Sequence, residues 1–577
     1  MAKNPFRQLD VIRKASQKEN IITDCYRLMY NKELWIKAYA KLYPNAGNLT
    51  KGITDEIDGC SLQKIDDIIE QLKAGTFRFA PVRTVYIPKS KSNGKKRPLG
   101  VANFKDKIVQ EVMRMILDSV YEPVFSDNSH GFREGRSCHT ALSQIKNTWN
   151  GLTWCIEGDI KGFFDQIDHS VLIHLISKKI HDRRFLLLIH NALTCGVMEN
   201  WTYHKTYSGT PQGGIISPLL ANIYLHEFDI FMEKQMEKFD IGKSRVRNGE
   251  YAKIRSKINT LSKKINRLDE RNGHQLWEGR DELILNIQEL KTKQVGIPSV
   301  DPMDKFYQRM KYVRYAEDFV IGIAGSKQSA LYIKEMSKTF LEKELYLDLS
   351  EEETLITHLE QPIPFLGYEF HTWNEIKVKT VTYKTQKHPL KKRTLSGAIK
   401  LEIPEKKIKE FAIKNGYGNL DTFKVIHRAK LINNSELEIL YTYNAELRGI
   451  ANYYKLANNY HHLDKLFYLA ESSFIKTIAN KRRSSSKKVA SSMRTHIQGV
   501  LSIVRKDKQG NEKIHQLVKL KDLPKHKGAL KADSSEIDQL ANTWKYSGRT
   551  EFEQRLLANK CEACSTTEAQ MEVLPRP

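Results

Sequence analysis

The segment YVRYAEDFVIGI (residues 312–323) limits the fold more than any other part of the chain, because two β-prone runs are broken there only at Glu317 and Asp318. Runs placed that close together pair through a tight turn, so the segment predicts an antiparallel hairpin with acidic residues at its tip. Short runs of the same Val-, Ile- and aromatic-rich texture recur as VRTVYIP, WCIEGDI and PFLGYEF. They are separated by longer stretches of helical periodicity such as KIVQEVMRMILDSVYEPVF. The first 75 residues read as helical up to a Gly-punctuated link around Lys51–Gly59. The fold class is therefore α+β.

A second acidic position sharpens the chemistry. In WCIEGDIKGFFDQIDH, Asp159 closes a β-like run, and Gly162 with the pair Phe163-Phe164 opens a different conformation. A strand-end carboxylate beside a hairpin-tip pair can hold two divalent metals ~4 Å apart for in-line phosphoryl transfer. Carboxylates suit Mg²⁺, which binds through a few of them plus substrate phosphates. In YSGTPQGGIISPLLANIYLHEFD, the Gly-rich turn lets backbone approach a ligand, places Gln212 where it can contact a nucleotide, and leads into an apolar helix.

Charge points the same way. Lys and Arg number 93 against 68 Asp and Glu, so the chain carries +25 with a pI near 9.4. Such an excess calls for a polyanionic partner, with nucleic acid the leading candidate. No run approaches the ~18 apolar residues of a membrane helix, and Met1–Lys14 has no apolar core of a secretion signal. Seven cysteines, mostly isolated in apolar segments, read as reduced core thiols.

Between Lys243 and Gln294, Ile254, Ile258, Leu261, Ile265 and Leu268 recur in steps of four and three, pause at Asn272-Gly273, and resume around Leu283–Leu290. That stripe predicts a helical hairpin inserted between two β parts. The run KRRSSSKK (481–488) reads as a flexible, phosphate-seeking linker, and His461-His462 as a solvated turn.

The motifs KKRPLGVANFKDKIVQEVM, HGFREGRSCHTAL, IEGDIKGFFDQIDH, GTPQGGIISPLLANIYL, YAEDF, FLGYEF and ELRGIANYYKLANN together resemble the reverse transcriptase/maturase proteins of mobile group II introns, of the bacterial type. The resemblance covers almost the whole chain. It implies a right-hand polymerase of fingers, palm and thumb, with a helical maturase domain and a basic C-terminal region. Read with the periodicity, the division is an N-terminal RNA-binding extension (1–75), fingers and palm (76–242), the charged helical insertion (243–305), and the palm with the YAED hairpin (306–372). A thumb/maturase domain (373–480), a DNA-binding region (481–556) and a remnant of an endonuclease domain (557–577) follow.

The resemblance places Asp159, Glu317 and Asp318 as ligands of two Mg²⁺ ions, Phe164 at the gate against a ribose 2′-hydroxyl, and Gln212 beside the incoming dNTP. Arg97 falls where fingers residues meet the triphosphate. It implies group II intron RNA and target DNA as partners, in a ribonucleoprotein of the bacterial cytoplasm with no membrane attachment; monomer and homodimer stay open. For RNA, Arg448, Lys455, Lys476, Lys481, Arg482 and Arg483 offer charge, and Tyr453, Tyr454 and Tyr460 offer either stacking faces or helix core, since Tyr453 and Tyr454 share helical spacing with Ile450, Leu456 and Ala457. Arg13, Lys14, Lys18, Lys37 and Lys41 offer charge near the N-terminus.

Three departures set further expectations. The family hairpin usually reads Tyr-Ala-Asp-Asp, whereas Glu317 here moves a carboxylate by one methylene, and a ~1 Å displacement at a reacting centre lowers rate ~10²-fold. Glu353 stands where the family commonly has Lys. Impaired polymerisation with retained splicing assistance is the expectation, a fully active reverse transcriptase the alternative, and a host-defence reverse transcriptase a remote third. Cys561 and Cys564 resemble the first ligand pair of the family's endonuclease, but zinc needs four ligands. With only His515 and His526 upstream, neither zinc binding nor DNA cleavage is expected.

Overall fold

The computed structural model describes residues 5–43, 50–53, 61–88, 96–199, 202–210, 213–271, 277–301, 304–373, 378–381, 390–393, 397–494, 499–506, 511–523, 551–562 and 564–567. Strands β1 (Val82–Pro88) and β2 (Lys96–Val101) pair antiparallel and join β4 (Val197–Glu199) and β5 (Thr202–His204) in a sheet ordered β2-β1-β4-β5. A second four-stranded sheet contains β3 (Trp154–Gly158), β6 (Arg309–Tyr315), β7 (Asp318–Ala324) and β8 (Ile356–His358), in the order β6-β7-β3-β8. The β6–β7 hairpin and both pairings of β3 are antiparallel.

This second sheet divides two hydrophobic cores, and the period-2 alternation of its strands decides which residue enters which. Met310, Tyr312, Phe319, Ile321 and Ile323 face one core, shared with the helices Phe104–Tyr121 and Ser217–Phe239 and the N-terminal helices. Val313, Val320 and Ala324 face the other. That second core takes in the helix Cys138–Thr148, the strands β9 (Ile363–Phe365) and β10 (Tyr368–Thr372), and the helices Glu405–Lys414, Glu436–Tyr453 and Leu463–Lys481. Because both faces are covered, the central strand β7 (DFVIGIA) reads as a nearly unbroken apolar run, whereas β6 (RMKYVRY) at the sheet edge keeps the basic residues Arg309, Lys311 and Arg314.

PFLGYEF is two strands, not one. Leu366 and Gly367 adopt φ of 47° and 74° and turn β9 back on β10, with Phe365 opposite Tyr368. Between β5 and β6, the helices Gly249–Arg271 and Arg280–Gly296 pack through a small core of their own, Ile258, Ile265 and Ile287. Within the run 481–488, residues 482–485 turn between two helices and the rest is helical, which corrects the expected flexible linker. Lys481 Nζ donates to the Ile432 carbonyl at 2.9 Å, Arg482 forks onto both oxygens of Glu436 at 2.7 Å, and Ser485 caps the helix Ser486–Met493.

Asp106 lies in the first turn of the helix Phe104–Tyr121, 3% exposed, where it accepts the Ala80 N–H at 3.1 Å. Burial pushes its carboxyl up to about 7, against the opposing pull of the Ala80 hydrogen bond and Lys105. A folded-state value above the unfolded one means that the folded protein holds the extra proton, so this group's contribution is complete below about pH 4 and is lost as pH rises through 7. Asp106→Asn keeps the acceptor and removes the titration. Urea unfolding from pH 5 to 8 should show wild type losing ground to the variant by up to ~1.4 kcal/mol per pH unit.

Candidate functional site

The β6–β7 hairpin closes on the pair Tyr315 and Asp318, leaving Ala316 and Glu317 as the turn. Ala316 takes a left-handed φ of 56°, rare for a residue with a Cβ, and the surroundings hold it there. A Cβ at Gly131 would stand 2.4 Å from the Ala316 amide nitrogen, so only glycine lets the HGFREG segment close over the turn. From below, the Arg314 guanidinium donates to the Ala316 carbonyl at 2.8 Å and to Asn222 Oδ1 at 3.0 Å. It also reaches Ser129 Oγ at 2.8 Å and both oxygens of Asp229, at 2.8 and 2.5 Å. Tyr312 Oη donates to the same carboxylate at 2.8 Å. Arg314 and Asp229 are fully buried. Sequence reasoning passed over this network, although period 2 puts Arg314 on the same inward face as Tyr312, where a charge requires a partner.

The β3–β7 register sets Gly158 opposite Phe319, so the next residue, Asp159, comes to the strand end beside Asp318. A Cβ on Gly158 would overlap the Phe319 ring at 2.1 Å, and its absence brings the two strand ends together. A fourth acid joins them. The Ser350 amide donates to the Asp159 carbonyl at 2.9 Å, and the turn that follows, closed by Thr354 N–H on the Ser350 carbonyl at 2.8 Å, delivers Glu353. Burial first, then a hydrogen bond and charge from Glu353, then the charges of Asp318 and Glu317, push the Asp159 carboxyl up to about 7. Asp159, Asp318 and Glu353 open on a cleft of about 520 Å³ that Leu366, Gly367 and Lys407 also line.

Among the described residues no three His, Cys, Asp or Glu side chains are arranged to hold a metal ion. The donor chemistry nevertheless fits a hard divalent cation, since all four groups are carboxylates. Burial is the largest cause of the raised Asp159, and the charges of Glu353, Asp318 and Glu317, which add to it, are what such a cation would offset.

The other expected site residues divide. Phe164 is half-buried in the short helix Phe163–Gln166, and its carbonyl accepts the Thr210 N–H at 2.7 Å, so the Gly-Thr turn sits directly on it. Arg97 is exposed on β2, opposite Ile87. Gln212 and His526 lie outside the described residues. Arg448 and Arg483 are exposed and Lys455 is half-buried. The tyrosines correct the stacking expectation. Tyr453 Oη donates to the Leu366 carbonyl at 2.7 Å and Tyr454 Oη to that of Gly367 at 3.1 Å, with both rings against Tyr368. Tyr460 is 3% exposed. Tyr453 and Tyr454 fasten the end of the helix Glu436–Tyr453 to the β9–β10 turn at the cleft. At the N-terminus, Lys37 pairs with Glu553 at 2.7 Å and Lys41 with Glu111 at 2.9 Å, which removes both from the set of RNA-facing cations. Cys564 N–H points to Cys561 Sγ at 3.5 Å, and His515 Nδ1 lies 2.7 Å from Tyr441 Oη.

Comparison with known proteins decides the family. Residues 87–247 match the model for reverse transcriptase (RNA-dependent DNA polymerase), a span that includes Asp159 and stops before the β6–β7 hairpin. Residues 396–527 match the type II intron maturase model. Group II intron-encoded protein LtrA of Lactococcus lactis subsp. cremoris is 42% identical over 97% of this chain and 91% of its own length. The chain belongs to the group II intron-encoded maturases that carry a reverse transcriptase domain. The putative COX1/OXI3 intron 1 protein of Saccharomyces cerevisiae is 34% identical over 81% of this maturase and 54% of its own length. An uncharacterized 91 kDa protein in the cob intron of Schizosaccharomyces pombe is also 34% identical, over 83% of this chain and 57% of its own. Among the described residues no helix of this maturase is long and apolar enough to cross a membrane.

Truncating one member of the buried pair should show its weight. Asp229→Ala leaves the Arg314 guanidinium buried without its carboxylate and should lower stability by ~3–5 kcal/mol in urea unfolding. Combining Arg314→Met with Asp229→Leu should recover most of that loss, because both charges are then gone.

Proposed function

We propose that this maturase binds its intron RNA and promotes splicing, and that its polymerase site copies RNA into DNA slowly. The observation that carries the second half is Glu353 against Asp159, which places one more carboxylate in the cleft where the family commonly has a lysine. In this reading the sheet of β3, β6, β7 and β8 is the palm, the sheet of β1, β2, β4 and β5 belongs to the fingers, and the helices after Glu405 form the thumb and maturase domain. The divisions at 75, 242, 305, 372, 480 and 556 are part of the same proposal.

Asp159, Glu317 and Asp318 would hold two Mg²⁺ ions, which supply charge neutralisation at the reacting phosphate and a more acidic attacking hydroxyl. The chain's own contribution is placement. Arg314 fixes the tip through the Ala316 carbonyl, and Phe164, whose backbone carbonyl accepts the Thr210 N–H, would exclude a ribose 2′-hydroxyl. Arg97 and Gln212 would take the dNTP. Glu317 extends its carboxylate one methylene farther than aspartate, and Glu353 adds a further negative charge beside Asp159, so both weaken the site for transfer. Splicing needs no bond made by the protein, only RNA held in its active shape; Arg448, Lys455 and Arg483 provide charge for phosphates, and Lys481 and Arg482 would add to it only beyond their bonds to the Ile432 carbonyl and Glu436. Binding of target DNA, and a homodimer, belong to this reading too.

Primer extension on an RNA template should rise ~10²-fold in Glu317→Asp if displacement of the carboxylate limits the wild type. Equal, robust synthesis by both proteins would show a fully active reverse transcriptase. For the maturase half, splicing of the intron transcript at low Mg²⁺ should accelerate on adding wild type or Asp159→Asn alike. A lack of acceleration by either protein would remove RNA binding as the function.

A further inference from the structure

Among the described residues of the maturase part, one face-to-face aromatic stack is left out of the core. Tyr468, on the helix Leu463–Lys481, stacks on Phe423 with ring centroids 5.5 Å apart and planes at 27°. Tyr468 remains 61% exposed and Phe423 43%, whereas Tyr443, Tyr454, Tyr460 and Phe474 of the same domain are buried. A lone exposed ring needs no explanation, but two rings stacked and left open to water form a flat apolar surface of the kind a nucleobase covers.

The platform is built rather than incidental. Phe423 holds a φ of 52°, a conformation bulky residues rarely adopt, in the loop between Gly418–Asn419 and Lys424–Val425. Asn419 Oδ1 accepts the Asp421 and Thr422 amides at 2.8 and 3.2 Å, which shapes that loop. Lys476 Nζ donates to the Val425 carbonyl at 3.0 Å, and Ser473 Oγ to that of Ile426 at 2.6 Å, which pins the loop to the helix bearing Tyr468. The stack is thereby fixed before any ligand arrives.

The charge around it favours a polyanion. Lys424, Lys465 and Lys476 are exposed, with Lys465 three residues before Tyr468 on the same helix face. Of the neighbouring acids, Asp421 is paired with Lys409 and Glu471 with Arg494, each at 2.7 Å. Asp464, four residues before Tyr468, stands against the three lysines.

We infer that Phe423 and Tyr468 form a stacking platform for an unpaired base of the intron RNA, with Lys424, Lys465 and Lys476 on the flanking phosphates. The inference rests on the RNA-binding reading above and gives it a location that the buried Tyr453, Tyr454 and Tyr460 do not. RNA is recognised chiefly where its bases are unpaired, and a ring pair stacks on any base, so the platform serves affinity more than sequence choice.

The test uses the full chain and the transcript of the intron that encodes it, with single-stranded DNA of matched length as the second probe. Tyr468→Ala should weaken binding to the transcript ~10-fold with an unchanged salt dependence, and Tyr468→Phe should bind as wild type. Lys465→Ala should lower the slope of log affinity against log salt by about 1. Tyr468 is exposed, and unchanged thermal unfolding of its variant confirms that only the surface has changed. Tyr468→Ala binding within twofold of wild type would overturn the platform and leave the maturase reading standing. A loss seen with single-stranded DNA alone would assign the rings to DNA and overturn it as well. Wild type that binds the transcript no better than an unrelated RNA of equal length would overturn the maturase reading and the platform with it.

Discussion

The buried ion pair between Arg314 and Asp229 organises the rest of the molecule. Neither charge has access to water, so each must find its full complement of partners inside, and the geometry that satisfies them is narrow. Meeting that demand brings together a helix (Asp229 and Asn222), the loop after Tyr121 (Ser129), a strand (Tyr312 and Arg314) and a turn carbonyl (Ala316). Apolar packing alone would tolerate a hairpin tip that slid or rocked. A guanidinium that is bonded on every side does not, and the carboxylates at the strand ends inherit its position.

The second constraint is close approach of backbone. Gly131 over Ala316 and Gly158 over Phe319 both act beside the acidic tip, and each leaves out the one carbon that would hold the pieces apart. On the far side of the cleft the β9–β10 turn is held by Tyr453 and Tyr454 from the helical domain. His139 Nε2 donates to the Tyr453 carbonyl at 2.5 Å, and Lys146 Nζ to that of Leu456 at 3.2 Å. The reverse transcriptase part and the maturase part therefore share the wall of one cleft.

Local patterns made the strands, the hairpin and the inserted helices legible in the sequence, since period 2 and period 3.6 are written directly into the order of apolar residues. The position of Asp159 was legible as the end of a β-like run. What stayed hidden depends on tertiary partners. The family resemblance put Glu353 in the catalytic neighbourhood, but nothing local in LDLSEEETLITH says that it returns to Asp159, a contact set by a backbone bond from Ser350 across the fold. Lys41 looks like a surface cation until Glu111 is placed beside it, and Tyr453 looks like a stacking ring until the β9–β10 turn takes its hydroxyl. FLGYEF misled because a left-handed leucine, Leu366, begins its turn where a glycine or asparagine is the usual signal.

The pair of helices between β5 and β6 enters and leaves the body at neighbouring points, where Ile241 bridges Gln308 and Arg247 bridges Val300. Its apolar contacts are largely internal, around Ile258, Ile265 and Ile287. A stem closed at its base isolates whatever lies beyond it, because the entropy of a longer or shorter excursion changes only with the logarithm of its length. The appendage is thus a cassette: evolution can resize or replace it while the strands on either side remain in register.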